Sequence, residues 1–179
     1  MSLVHGKRVM HIDTSCKLHE RRNTGIAFRI LKTGEHKGLA LSNQLKRELD
    51  RDLESDYDYP RLYAICIYQL IKDSLKDFDT LVICDDEDFM YVKLYLDFLF
   101  KGDREYESKE IISIGRLRDI TGNSKLKSQA DSVANIYRRK VLRKVQRRQR
   151  GIELNIVPIN YSLVTKLWGE IEKNNVSRV

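Results

Sequence analysis

The chain has 179 residues, 41 % of them hydrophobic and 33 % charged, with 2 prolines and 9 glycines. That balance suits one folded domain with its own core and excludes collagen, long linkers and low-complexity disorder. No apolar run approaches the roughly 20 residues that span a bilayer, and Lys7 and Arg8 precede no apolar stretch of the kind a signal peptide needs.

Charge is unevenly spread. Residues 1–41 hold 8 basic and 3 acidic groups, residues 42–107 hold 9 and 17, and residues 108–179 hold 16 and 6. A basic rear favours polyanions through counterion release. An acidic middle beside it repels phosphate unless cations sit between them, so the combination points to a metal-dependent enzyme of nucleic acid. A charge-rich, heat-adapted surface accounts for the same composition. Cys16, Cys66 and Cys84 are odd in number and widely spaced. They fit neither a disulfide framework nor a zinc site, and they suit a reducing, cytoplasmic compartment.

In chain order, residues 8–13 read as a short strand ending at Asp13, and residues 24–32 as a second strand after a polar loop. The turn Thr33-Gly34-Glu35 leads to a third strand from Gly38 to Ser42. Leu45, Leu49 and Leu53 form a narrow apolar stripe on a charged helix over 43–54. Pro60 suits the first turn of the next helix, which is apolar on most of its circumference through Leu75 and therefore central. Residues 79–84 form a continuous apolar strand of the fully buried type, followed by Asp85-Asp86-Glu87-Asp88 and a helix from Asp88 to about Phe100. Residues 110–114 read as a strand, Gly115 to Lys127 as a loop, and Ser128 to about Gln149 as a helix that turns very basic after Tyr137. Gly151 breaks it; a strand over Ile152–Ile159 and a helix over Tyr161–Lys173 close the chain. The expectation is an α/β fold with a mixed five-stranded sheet flanked by helices. Residues 1–150 form one domain carrying an insertion at about 43–59, and residues 151–179 form a strand–helix extension packed on it.

Three acidic positions end or open elements that can converge: Asp13, Asp85 or Asp86, and Asp131. If the first and fourth strands are parallel neighbours, their carboxyl ends meet at one edge. Carboxylates forced together need cations, and hard oxygen ligands select Mg²⁺ or Mn²⁺. Each acid also has a plainer reading: Asp13 as a turn residue, Asp85–Asp88 as the cap and first turn of a helix, Asp131 as a water-facing helix residue.

Ile12-Asp13-Thr14-Ser15-Cys16 followed by Thr24-Gly25-Ile26-Ala27-Phe28-Arg29-Ile30 resembles the opening of ribonuclease H. Pro60 to Leu70 with Val82-Ile83-Cys84-Asp85-Asp86 resembles that family's first core helix and fourth strand, and Gln129-Ala130-Asp131-Ser132-Val133-Ala134-Asn135 its late helix motif. The resemblance covers about residues 8–137. It implies a ribonuclease H-like sheet and a two-metal nuclease releasing 3′-hydroxyl and 5′-phosphate ends. Asp13 would bridge the ions, and Asp85 or Asp86 and Asp131 would each hold one. The RNA strand of an RNA–DNA hybrid is the implied substrate, with structured RNA or DNA in the wider superfamily. The sequence departs from the family at two points. Tyr63, or Ala64 one register along, stands where the family carries a helix Glu, with Glu54, Asp56 and Asp58 as upstream substitutes, and residues 111–130 contain no His. A catalytically reduced nucleic-acid-binding module is therefore the competing expectation, and self-association through residues 152–173 a third.

Arg138, Arg139, Lys140, Arg143, Lys144, Arg147, Arg148 and Arg150 follow Asp131 with no acid among them. A solvated helix face usually balances its charges, so this run is expected to contact phosphates.

Overall fold

The computed structural model describes residues 6–54, 58–141 and 154–176. The chain forms an α/β layer structure around a mixed five-stranded sheet in the order β3-β2-β1-β4-β5. β1 (Val9–Thr14) is antiparallel to β2 (Thr24–Ile30), and β2 to β3 (His36–Leu41). β4 (Thr80–Ile83) pairs parallel with β1, and β5 (Glu110–Ser113) pairs parallel with β4. All six residues of β1 are buried, as befits the central strand. Period-two alternation sends Met10 and Ile12 to one face and Val9 and His11 to the other.

One face carries the main core. Helix α1 (Asn43–Leu53) is capped by the Ser42 hydroxyl, which accepts from the Leu45 N–H. Helix α2 (Tyr59–Ile71) opens with Pro60 and buries most of its circumference. It therefore lies against the sheet and helix α3 (Phe89–Leu99) together. A 3₁₀ turn over Leu75–Asp77 leads into β4. Asp88 caps α3, accepting from the Met90 and Tyr91 N–H groups, so part of the acidic run after β4 does have the capping role. Helix α7 (Tyr161–Val176) packs on α1, α2 and α3. Arg61 ties it down: its guanidinium lies 4.6 Å from the Trp168 ring and 5.3 Å from the Tyr95 ring and reaches Glu172 at 3.1 Å.

The opposite face is covered by helix α6 (Asp131–Val141) over β1, β2 and β3, and by helix α5 (Ile114–Thr121) beside β4 and β5. The approach of α6 requires glycine in both strands below it. A Cβ on Gly25 would lie 2.2 Å from the Ala134 carbonyl oxygen, and one on Gly38 would lie 2.4 Å from the Tyr137 ring. Gly25→Ala should cost about 3 kcal/mol, because backbone and not a flexible side chain stands in the way. Chemical denaturation would measure it, and a loss under 1 kcal/mol would mean that α6 is free to lift.

The sequence reading needs four corrections. Gly115 to Lys127 is not all loop, because α5 occupies Ile114–Thr121. The Ser113 hydroxyl caps it by accepting from the Arg116 N–H, and Gly122 ends it at φ 67°. A short helix, α4 (Arg104–Glu107), capped by Asp103, precedes β5. The basic helix begins at Asp131 and not at Ser128, whose hydroxyl instead accepts from the Ala130 N–H. The strand expected over Ile152–Ile159 is, among the described residues, a single bridge between Ile156 and Gly38. Its two hydrogen bonds run from the Gly38 N–H to the Asn155 carbonyl oxygen and from the Val157 N–H to the Gly38 carbonyl oxygen. Among the described residues no helix is long and apolar enough to cross a membrane.

Candidate metal centre at the end of the parallel strand pair

Because β1 and β4 are parallel neighbours in the register Ile12↔Ile83, the residues that follow them emerge at one edge of the sheet. Asp13 is the penultimate residue of β1 and only 9 % exposed. Its Oδ1 accepts from the Thr14 N–H at 2.8 Å. After β4 the chain runs through Cys84 to Asp86, whose Oδ2 accepts from the Thr14 hydroxyl and, at 3.3 Å, from the Cys84 thiol. One donor atom from each of Asp13, Cys84 and Asp86 lies within 4.8 Å of the others.

The electrostatics follow from this crowding. Burial, helped by the Asp86 charge, pushes the Asp13 carboxyl up to about 6 against the opposing hydrogen bonds from Cys84, Thr14 and Ser128. Burial and then the charges of Asp13 and Asp86 hold the Cys84 thiol well above its ordinary range. It is thus a protonated donor and not a thiolate. Glu87 is pushed up to about 7, first by burial and then by Asp86. No ion pair joins a cation to Asp13, Asp86 or Glu87 among the described residues.

Beneath the cluster lies Tyr63, fully buried on α2, its hydroxyl 3.0 Å from the Cys84 sulfur. The position that the resemblance assigns to a helix Glu is thus a tyrosine whose own ionisation is suppressed by burial and by these neighbours. The upstream substitutes do not replace it. The Asp58 carboxylate accepts from the Tyr95 hydroxyl at 2.5 Å, Glu54 is exposed beyond the end of α1, and Asp56 lies outside the described residues.

The strand-end pair Asp85–Asp86 divides in two. Asp86 turns to Asp13, whereas Asp85 turns to α5, where it meets Arg118 Nη1 at 3.2 Å and accepts from the Gly115 N–H at 3.3 Å. Sequence reading left the choice open because Arg118 lay in a segment read as loop. Asp131, the first residue of α6, is exposed. It lines the same cavity of ≈ 380 Å³ as Asp13, Asp85 and Asp86, together with Arg29, Arg118, Lys127 and Ser128. All four aspartates singled out from the sequence therefore border one cavity, with Asp13 and Asp86 as its tight pair. Cys84, Ser128 and Arg118 were missed. Ser128 and Arg118 lie in no motif, Cys84 stands in the fourth-strand motif as an apparent packing residue, and only the fold brings them to this cavity.

The β1–β2 connection beside the site is fixed by Lys46. Its buried ammonium donates to the Leu18 and Glu20 carbonyl oxygens and to the Thr24 hydroxyl. In the basic run, Arg138 is half-buried and Arg139 exposed. The Lys140 side chain and Arg143, Lys144, Arg147 and Arg148 lie outside the described residues.

Comparison of the chain with protein-family models, with curated protein sequences and with solved structures finds no match.

Proposed function

We propose that the chain is a ribonuclease H-like, divalent-cation-dependent phosphodiester hydrolase of nucleic acid, working in the cytoplasm. The observation that carries this reading is the pairing of Asp13 with Asp86 at the carboxyl end of two parallel central strands. The five-stranded mixed sheet and the cavity shared with Asp131 support it. The odd number and wide spacing of Cys16, Cys66 and Cys84 support the compartment.

The donor set suits Mg²⁺ or Mn²⁺. It offers hard carboxylate oxygens, one of them on a carboxyl that burial holds at about 6 with no cation paired to it, and the one sulfur nearby is a protonated thiol. Asp13 and Asp86 would hold the ion and Asp131 would reach it from the rim; Asp85 stays with Arg118. A bound ion of this kind supplies an activated water and neutralises charge on a phosphodiester. Within the chain, Thr14 and Cys84 fix the Asp86 carboxylate by donating to it. Ser128 and the Thr14 N–H orient Asp13. Arg29, Arg118 and Lys127 give the cavity wall positive charge for a phosphate. Arg138, Arg139 and the basic residues after them would hold the backbone of an RNA–DNA hybrid or of structured RNA or DNA.

Tyr63 favours one second reading. A buried hydroxyl in place of the helix acid fits a domain that binds nucleic acid and has lost cleavage. Labelled RNA–DNA hybrid, duplex DNA and single strands incubated with Mn²⁺ separate the two. The hydrolase reading expects cleavage of at least one substrate that falls by about 100-fold or more in Asp13→Asn and Asp86→Asn. Binding without cleavage on every substrate would leave the second reading. Cleavage that survives both substitutions would place the chemistry elsewhere.

A further inference from the structure

A second cavity, of ≈ 400 Å³, lies on the sheet face that carries α5 and α6. Its size falls in the range of about 300–1,000 Å³ usual for small-molecule sites. Val9 and Val82 form its floor, and Ile112, Leu117, Ile120 and Leu126 form its walls. Among the described residues no aromatic ring other than the His11 imidazole lines it. Such a lining matches a flexible aliphatic body better than a flat base or ring.

Two hydrogen-bond donors border this apolar space. His11 is 2 % exposed. Its Nδ1 accepts from the Gln129 N–H at 3.2 Å, which leaves the ring proton on Nε2. That Nε2–H is buried with no partner among the described residues, an arrangement that costs free energy until an acceptor meets it. Arg29 is directly opposite His11 in the β1–β2 register and lines the same cavity. Cross-strand partners point to the same face of a sheet, so both side chains leave that face from adjacent strands, with the Arg29 guanidinium reaching towards Gly34 at the β2–β3 turn. Arg29 forms no ion pair among the described residues. The carboxylate on the cavity lining, Glu110, is already engaged by Lys7 at 2.9 Å and by the Thr80 hydroxyl at 3.1 Å. A neutral donor and a cation on one sheet face, at the border of an aliphatic space, call for an anionic head on an apolar tail.

We propose that this cavity is a binding site for a small aliphatic monocarboxylic acid, with its carboxylate on His11 Nε2–H and Arg29 and its chain along Val82, Ile112 and Leu117. The site shares Arg29 and Gln129 with the acidic cavity, while His11 and the aliphatic lining belong to this cavity alone.

Octanoate is the probe, titrated into the full chain by calorimetry and by NMR of the imidazole nitrogens. The expected result is saturable one-to-one binding, a shift of the His11 Nε2 resonance with Nδ1 still an acceptor, and affinity for octanol lower by about tenfold or more because the charge-assisted bonds are lost. Arg29→Gln should weaken octanoate by about tenfold. Ile120→Glu sets a like charge at a partly exposed wall and should weaken it by at least as much. Neither position is in the main core, so circular dichroism should report an unchanged fold for both variants. Three results would each overturn the assignment: no saturation up to about 10 mM octanoate, equal affinity for octanol, or octanoate binding unchanged in both folded variants.

Discussion

Asp13→Asn should make the chain more stable in the absence of divalent cations and deaf to them in their presence. In the native chain the Asp13 carboxyl sits in the fold at about 6 instead of 3.8. The folded state therefore penalises its ionised form. A raised carboxyl contributes stability that is whole below 3.8 and is lost as pH rises through 6. The loss is at most about 3 kcal/mol by neutral pH. Asn carries no charge to desolvate and keeps an oxygen for the Thr14 N–H. A gain of about 1–3 kcal/mol is expected, which raises the melting temperature by roughly 2–10 °C in a chain of this size. Mn²⁺ should act on the parent alone. It stabilises the parent by about 2.7 kcal/mol at 100 times its dissociation constant and leaves the variant unmoved. Scanning calorimetry with and without Mn²⁺ decides the matter. A variant less stable than the parent in chelator would mean that the Asp13 charge is compensated in the fold.

The second large effect is a pH dependence hidden in the parent chain. Burial drives His11 down to about 4 from 6.5, so its contribution is whole above 6.5 and is lost as pH falls through 4. Asp13 has the opposite slope over nearly the same window. Each is worth at most about 3 kcal/mol, so between pH 4 and 6 they largely offset one another. Glu87, raised to about 7 from 4.5, adds a further loss that runs from pH 4.5 to 7, reduced by its partial exposure. Denaturant midpoints of the parent should therefore fall only gently from pH 4 to 6, by the share that Glu87 adds. In Asp13→Asn they should climb with pH as His11 loses its opponent. In His11→Gln they should fall. A flat profile in both variants would mean that neither group feels its burial.

The central strands and the buried helix were legible because their residues leave little choice. Thr80 to Ile83 are apolar enough to be buried on both faces, Val9 to Thr14 read as a strand from their short length and alternation, and α2 is apolar nearly all round. The meeting of Asp13 with the acids after β4 needed one condition, that β1 and β4 be parallel neighbours, and the sheet meets it. Helix α5 escaped because Gly115 and Gly122 signal a loop, although Ile114 and Leu117 keep helical spacing between them. The late strand was overread from the alternation of Ile152, Leu154 and Ile156. Alternation fixes which way side chains point and says nothing about whether a partner edge has room. The division of labour between Asp85 and Asp86 could not be read at all. It depends on Arg118, distant in the chain and visible as a partner only once α5 is folded.

The two glycines under α6 carry a consequence for whatever charged polymer comes to this protein. At Gly25 the backbone of α6, and at Gly38 its Tyr137 ring, sits nearer to the sheet than any strand side chain would permit, so the helix rests directly on strand backbone. Asp131 at its head and Arg138 and Arg139 a few turns on thus keep a constant spacing and bearing relative to Asp13. A ruler of that kind measures from the acidic cavity to these two arginines, and its graduations are ruled by two hydrogens standing where other amino acids carry carbon.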